Sequence, residues 1–115
     1  MSFNKFEDIV AWQKSRLLVV ACYQVFRSLK DYSFKDQICR AAVSIMNNIA
    51  EGFERRGCKE FSHFLYISKS SCAEVQSMLY LAYDLKYIDE DTFNQLLDQA
   101  TEISRMIFGL IRSLK

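Results

Sequence analysis

The residues in this 115-residue chain best suited to chemistry are its single histidine and its four cysteines. Glu60-Phe61-Ser62-His63 has the spacing of the Glu-x-x-His element that gives a carboxylate-bridged metal pair two ligands from one helix face. That chemistry needs a second such element and two further carboxylates, with both histidines turned inward. His63 is the only histidine, so a di-iron centre is excluded on count. A zinc site on Cys58 and His63 lacks two more ligands at usable spacing. Nucleophilic catalysis needs Ser or Cys beside a base and an orienting group; one histidine allows a triad in form, but no local signature surrounds it. Gly52, Gly57 and Gly109 are too scattered to build a phosphate-cradling loop. The expectation is a protein that is not an enzyme and carries no metal or cofactor.

Two groups of polar residues remain. At 100° per residue, Arg40, Ser44, Asn48, Glu51 and Arg55 line one helix face. One reading is a solvated face with a Glu51–Arg55 pair worth about 0.3 kcal/mol. The other is a polar seam that fixes helix or subunit register, which charged seams do better than they add stability. The second group is Arg55, Arg56 and Lys59, three cations around Gly57 and candidates for contacts to phosphate. The total charge of +1 encodes no general attraction to nucleic acid or to an anionic membrane, so such binding has to come from a local patch.

The elements that position these residues read as helices. The chain has no proline and three glycines, too few for sheets and linkers, while half its residues are apolar and 14% aromatic, enough for a real core. Four amphipathic patterns span roughly 8–29, 34–56, 59–85 and 89–114. The first offers Ile9, Trp12, Val20, Tyr23 and Leu29 as core residues. Its run Leu17-Leu18-Val19-Val20 cannot be buried by one stripe, so Leu17, Leu18 and Val19 are candidates for an oligomer interface. In the second, Ile38, Ala41, Ala42, Ile45, Ile49, Gly52 and Phe53 face inward, and the small residues among them admit a neighbouring axis closely. Ser33 and Asp36 resemble a capping box at its start, and Gly57 suits a left-handed residue after its end. The third presents Phe61, Phe64, Leu65, Cys72, Val75, Met78, Leu79, Ala82 and Leu85 inward; the fourth opens on Asp89 as N-cap. Short connections predict an all-α, up-down-up-down antiparallel four-helix bundle formed as one domain, 1–115.

The second helix also carries a family resemblance. Gln37-Ile38-Cys39-Arg40-Ala41-Ala42-Val43-Ser44-Ile45 followed by Asn48-Ile49-Ala50-Glu51-Gly52-Phe53 resembles the signature of the bacterial four-helix-bundle proteins encoded in 23S rRNA intervening sequences. Phe6-Glu7-Asp8-Ile9 with Trp12-Gln13-Lys14 looks like that family's opening, and Lys59-Glu60-Phe61 with Phe64-Leu65 and Ser71 to Glu74 like its third helix. Met46 departs from it, standing where many members carry proline. The resemblance implies a relation to accessory proteins of diversity-generating retroelements, which form rings of five and associate with nucleic acid and a reverse transcriptase. It thus implies a homopentamer with RNA or DNA, or a protein partner, as ligand.

The cysteines Cys22, Cys39, Cys58 and Cys72 sit singly and read as small core hydrophobes of a reducing compartment. With no secretory pattern in residues 1–8 and no long apolar span, a bacterial cytoplasm and no membrane are expected. In the expected topology Lys5, Arg55, Arg56, Lys59, Arg112 and Lys115 outnumber Glu7, Asp8, Glu54 and Glu60 at the end holding both termini. At the other end Asp31, Asp36, Asp84, Asp89, Glu90 and Asp91 outnumber the cations.

Overall fold

Short acidic residues start two of the four long helices, and a computed structural model describes the protein over residues 3–115. Met1 and Ser2, part of the expected 1–115 unit, lie outside the described residues. A 3-10 turn at Phe6–Asp8 leads into α1 (Val10–Val25), α2 (Tyr32–Glu54), α3 (Cys58–Asp84) and α4 (Glu90–Ser113). Asp89 caps α4 by accepting the Thr92 N–H at 2.8 Å, as its sequence position predicts, with Glu90 and Asp91 in the first turn where the helix dipole favours them. At α2 the cap is Asp31, not Ser33: its Oδ1 accepts the Phe34 N–H at 3.1 Å, so the helix starts two residues earlier than the pattern suggests. The left-handed residue after α2 is also not the glycine. Arg56 has φ 63°, while Gly57 is extended at −133° and precedes α3. Left-handed backbone costs a non-glycine residue about 1 kcal/mol.

α2 packs on α1 and α3, α4 packs on α1 and α3, and among the described residues no Cα atoms of the two diagonal pairs come within 8 Å. The result is an up-down-up-down antiparallel four-helix bundle, square in section and 42 × 21 × 19 Å overall, with no strand among the described residues. Phe3, Arg56 and Leu114 line one hollow, so the α2–α3 loop shares an end with both chain termini. At the other end Phe26, Phe34 and Tyr87 pack edge-on in sequence, with ring centroids 5.7 and 5.3 Å apart. Burying Phe26 there ends α1 at Val25, earlier than its periodicity predicts, because the chain must fold back to bring Phe26 under Phe34.

The core follows the predicted stripes of α2, α3 and α4, with Ile38, Ile45, Ile49, Leu65, Val75, Leu79, Ile103, Ile107 and Ile111 out of solvent. Phe64 is only half-buried, and Leu85, which lies past the end of α3, is exposed. For the first pattern the expected inner face is right only in part: Ile9 is buried and Trp12 and Leu29 pack against the core. Val20 and Tyr23 are exposed, and the buried residues of α1 are Ala11, Ser15, Leu18 and Cys22. Three of these are small, so a reading weighted by bulk picks the wrong stripe, and the small face is the one that lets α1 lie close to its neighbours. Leu18 is therefore core and unavailable to an interface, against expectation; Val19 is half-buried and Leu17 is 62% exposed. Cys22, Cys39 and Cys72 are buried, and burial pushes the Cys22 thiol up to about 12 and the Cys72 thiol to about 11. Both stay protonated and inert at neutral pH. Cys58 is exposed.

Two outcomes follow. Ile45→Ala or Ile49→Ala removes a fully buried branched side chain and lowers stability by about 2–5 kcal/mol in urea denaturation; a change at both sites under about 0.5 kcal/mol, the size of a surface substitution, would contradict this core. The second concerns pH. The Tyr87 hydroxyl donates to Asp31 Oδ2 at 2.6 Å, and together with the Phe34 N–H it holds the Asp31 carboxyl below its ordinary 3.8. A carboxyl lowered on folding stabilises the native state above its unfolded value and loses that contribution as pH falls through its folded one. Asp31→Asn therefore destabilises the bundle at pH 7, and the gap to the parent narrows below about pH 3.8. A gap unchanged down to pH 2 would refute the linkage.

Candidate nucleic-acid interface

Gly52 sets the geometry of the α2–α3 loop. A Cβ built on it would stand 2.6 Å from Phe64 Cβ and 3.1 Å from Phe61 Cδ1, far inside contact distance. The absent side chain lets α3 lie against α2, and below it the Ser68 hydroxyl, fully buried, donates to the Ile45 carbonyl at 2.7 Å. The predicted polar stripe divides there. Ser44 and Asn48 form a seam: the Asn48 amide donates to the Ser44 carbonyl and hydroxyl at 2.8 and 3.0 Å, and the Ser71 hydroxyl lies 2.9 Å from that of Ser44. Glu51 and Arg55 stay on the surface.

Arg55 is less free than a loop cation would be. Its guanidinium pairs with Glu51 at 3.2 Å, reaches Glu60 at 3.9 Å, and lies 5.0 Å from the Phe64 ring centroid. Glu60, the carboxylate of the Glu-x-x-His motif, thus faces an arginine, while His63 is exposed and packs edge-on against Phe64. Arg56 lies 5.1 Å from the Phe53 ring, and Arg56 and Lys59 have no ion-pair partner among the described residues. Arg40 lies in a different environment. It lines an open groove of about 470 Å³ with Asp36, Gln37, Ser44, Ser71 and Glu74, where acidic groups offset its charge.

Further down the same end, Arg112 and Lys115, expected there as part of the charge excess, belong to a second cluster whose other members, Lys69, Arg105 and Phe108, sequence reasoning missed. Arg105, Phe108 and Arg112 follow one another at spacings of three and four on α4, with Lys115 just past its end, and Lys69 reaches across from α3 to within 5.9 Å of the Phe108 ring. The signal was present: no Asp or Glu occurs from Phe61 to Ala73 or from Ile103 to Lys115. It was hidden because those residues sit in two separate helical patterns whose apolar positions drew the attention.

Residues 7–109 match the family described as 23S rRNA-intervening sequence protein. The chain belongs to that family. No curated protein matches it. Among solved structures, the chain is similar to a protein with unknown function of the S23 ribosomal protein family from Bacteroides thetaiotaomicron, at 23% identity. That likeness covers 90% of this chain and 96% of that one, with a TM-score of 0.83, and it speaks for the fold. Among the described residues no helix is long and apolar enough to cross a membrane, and no three His, Cys, Asp or Glu side chains stand together as a metal site.

The close approach at Gly52 can be tested by adding one methyl. Gly52→Ala gains about 1 kcal/mol in helix propensity but overpacks against a rigid Phe64 Cβ, a cost of about 1–3 kcal/mol. The expected net effect is a lower urea midpoint. A raised midpoint would mean that α2 and α3 separate freely there.

Proposed function

We propose that this chain acts by binding, without catalysis, as an oligomeric nucleic-acid-associated protein that holds RNA or DNA through phosphate contacts. The observation that carries the reading is the pair of cations Arg56 and Lys59, exposed and without ion-pair partners among the described residues, on the loop that shares an end with both termini. Cations of this kind hold phosphates without reading bases, so the binding is non-specific and falls steeply with salt. Arg55 contributes less than its neighbours because Glu51 and Glu60 already share its charge.

Assembly is the second part of the proposal. α1 exposes Val10, Leu17 and Val20 on its outer face, beside half-buried Val19. An apolar strip of this kind is what a subunit contact covers. A head-to-tail contact closing by rotation would set copies side by side, in the ring of five that the family resemblance implies, with every Arg56 and Lys59 at one end. Repetition makes a weak local charge strong.

Light scattering after size exclusion, with and without an oligonucleotide, tests both parts. The parent is expected to elute as a multiple of its 13.5 kDa mass, and Leu17→Asp with Val20→Asp to elute as a monomer. Arg56→Glu with Lys59→Glu is expected to keep the oligomer and to weaken oligonucleotide binding at about 50 mM salt, a change of two phosphate contacts per subunit. A monomeric parent would refute the assembly. A parent that binds no oligonucleotide would refute the nucleic-acid reading and leave the same oligomer as a scaffold for a protein partner such as a reverse transcriptase.

A further inference from the structure

The α3–α4 face below the loop combines two features that the end cations lack: exposed aromatic rings and a surface without acids. Tyr66 and Phe108 are 47% and 44% exposed, and with Lys69, Ser70 and Ala73 they line a hollow of about 280 Å³ between the two helices. Lys69 Nζ and Arg112 Cζ each lie 5.9 Å from the Phe108 ring centroid. Two cations near one exposed ring put an apolar surface beside positive charge. Arg105 extends the charge along the same α4 stripe, and Lys115 adds to it just past the helix end. None of these four cations has an ion-pair partner among the described residues, and both contributing segments lack Asp and Glu.

Neither a core role nor a solubilising role explains this set. Side chains placed to pack the core would be buried, and a merely soluble face would mix charges of both signs, as the acidic end and the Arg40 groove do. Exposed rings flanked by unpaired cations match one ligand chemistry: a strand whose bases stack while its phosphates meet Lys and Arg. A duplex keeps its base faces inside the stack and gains nothing from the rings. An acidic peptide would use the cations and leave the rings idle.

The geometry points to a single-stranded nucleic-acid site on the α3–α4 face, with Phe108 and Tyr66 as stacking platforms and Lys69, Arg105 and Arg112 as phosphate contacts. It rests on the reading that the chain binds nucleic acid, and it adds the form of the ligand and the residues that select it. RNA and DNA strands share the stacking bases and the phosphates, so the site accepts both.

Fluorescence anisotropy with a labelled single-stranded RNA, the matching single-stranded DNA and the corresponding duplex, at two salt concentrations, tests the site. Single strands are expected to bind more tightly than the duplex. Phe108→Ala with Tyr66→Ala is expected to weaken single-strand binding about thirtyfold or more, the effect of losing two stacked bases, and to change duplex binding little. Circular dichroism checks that the variant stays helical, and Phe108→Trp, which keeps a stacking face, is expected to retain binding and to show its indole fluorescence quenched by the strand. If the parent binds but the double alanine variant binds single strands equally well, or if duplex binds as tightly as single strand, this site is wrong while nucleic-acid binding stands. If Phe108→Trp binds no better than the alanine variant, the stacking role is likewise overturned. A parent that binds no probe ends both readings.

Discussion

The near approach of α2 to α3 at Gly52 is the constraint on which the rest of this bundle depends. The two helices come so close that a methyl group at position 52 would meet Phe64 Cβ at 2.6 Å. The same approach lets the buried Ser68 hydroxyl reach the Ile45 carbonyl and brings Ser71 to Ser44. A small shift between the helices would break those bonds and leave a buried hydroxyl unpaired, at a cost of about 1–3 kcal/mol. The surface inherits the same geometry, since Phe64, held over Gly52, is the ring on which Arg55 lies. The charge available on the α2–α3 loop is thus fixed from beneath by packing.

Much of the fold was legible because apolar positions repeat at three and four along α2, α3 and α4, and because Asp89 is a strong cap ahead of two acidic residues. α1 was misread for a physical reason. Its buried face is Ala11, Ser15, Leu18 and Cys22, and small residues that allow close packing give a weaker periodic signal than the exposed Val20 and Tyr23. The cap at Asp31 was missed because its value lies partly in a partner far along the chain: its second oxygen accepts the Tyr87 hydroxyl across the loops, a contact no local pattern encodes. The candidate site was legible as residue types but not as pairings. Arg55, Arg56 and Lys59 look equivalent in sequence, and only the structure brings Glu51 and Glu60 to the first of them.

Charge is divided along the bundle, and the division is sharper in space than in the total of +1. Asp31, Asp89, Glu90 and Asp91 gather at the end with the α1–α2 and α3–α4 connections, where the aspartates also cap helices. The acid-free stretches of α3 and α4 run together toward the end with the α2–α3 loop. One end thus uses its charge to start helices, and the other, Arg55 apart, leaves its cations unpaired on the surface. In water, unpaired surface cations add little to stability, which is why the proposal assigns their concentration on one face to a ligand.

The central claim is that nucleic acid meets the cationic, acid-free face of this bundle and not its acidic end. The most direct measurement is amide chemical-shift mapping of the isotope-labelled protein during titration with a short single-stranded oligonucleotide at low salt. The account predicts shifts concentrated in residues 56–73 and 103–115, reversed by added salt, with residues 31–40 and 84–91 unmoved. Shifts confined to the acidic end or to the Arg40 groove, or none at saturating oligonucleotide, would contradict it.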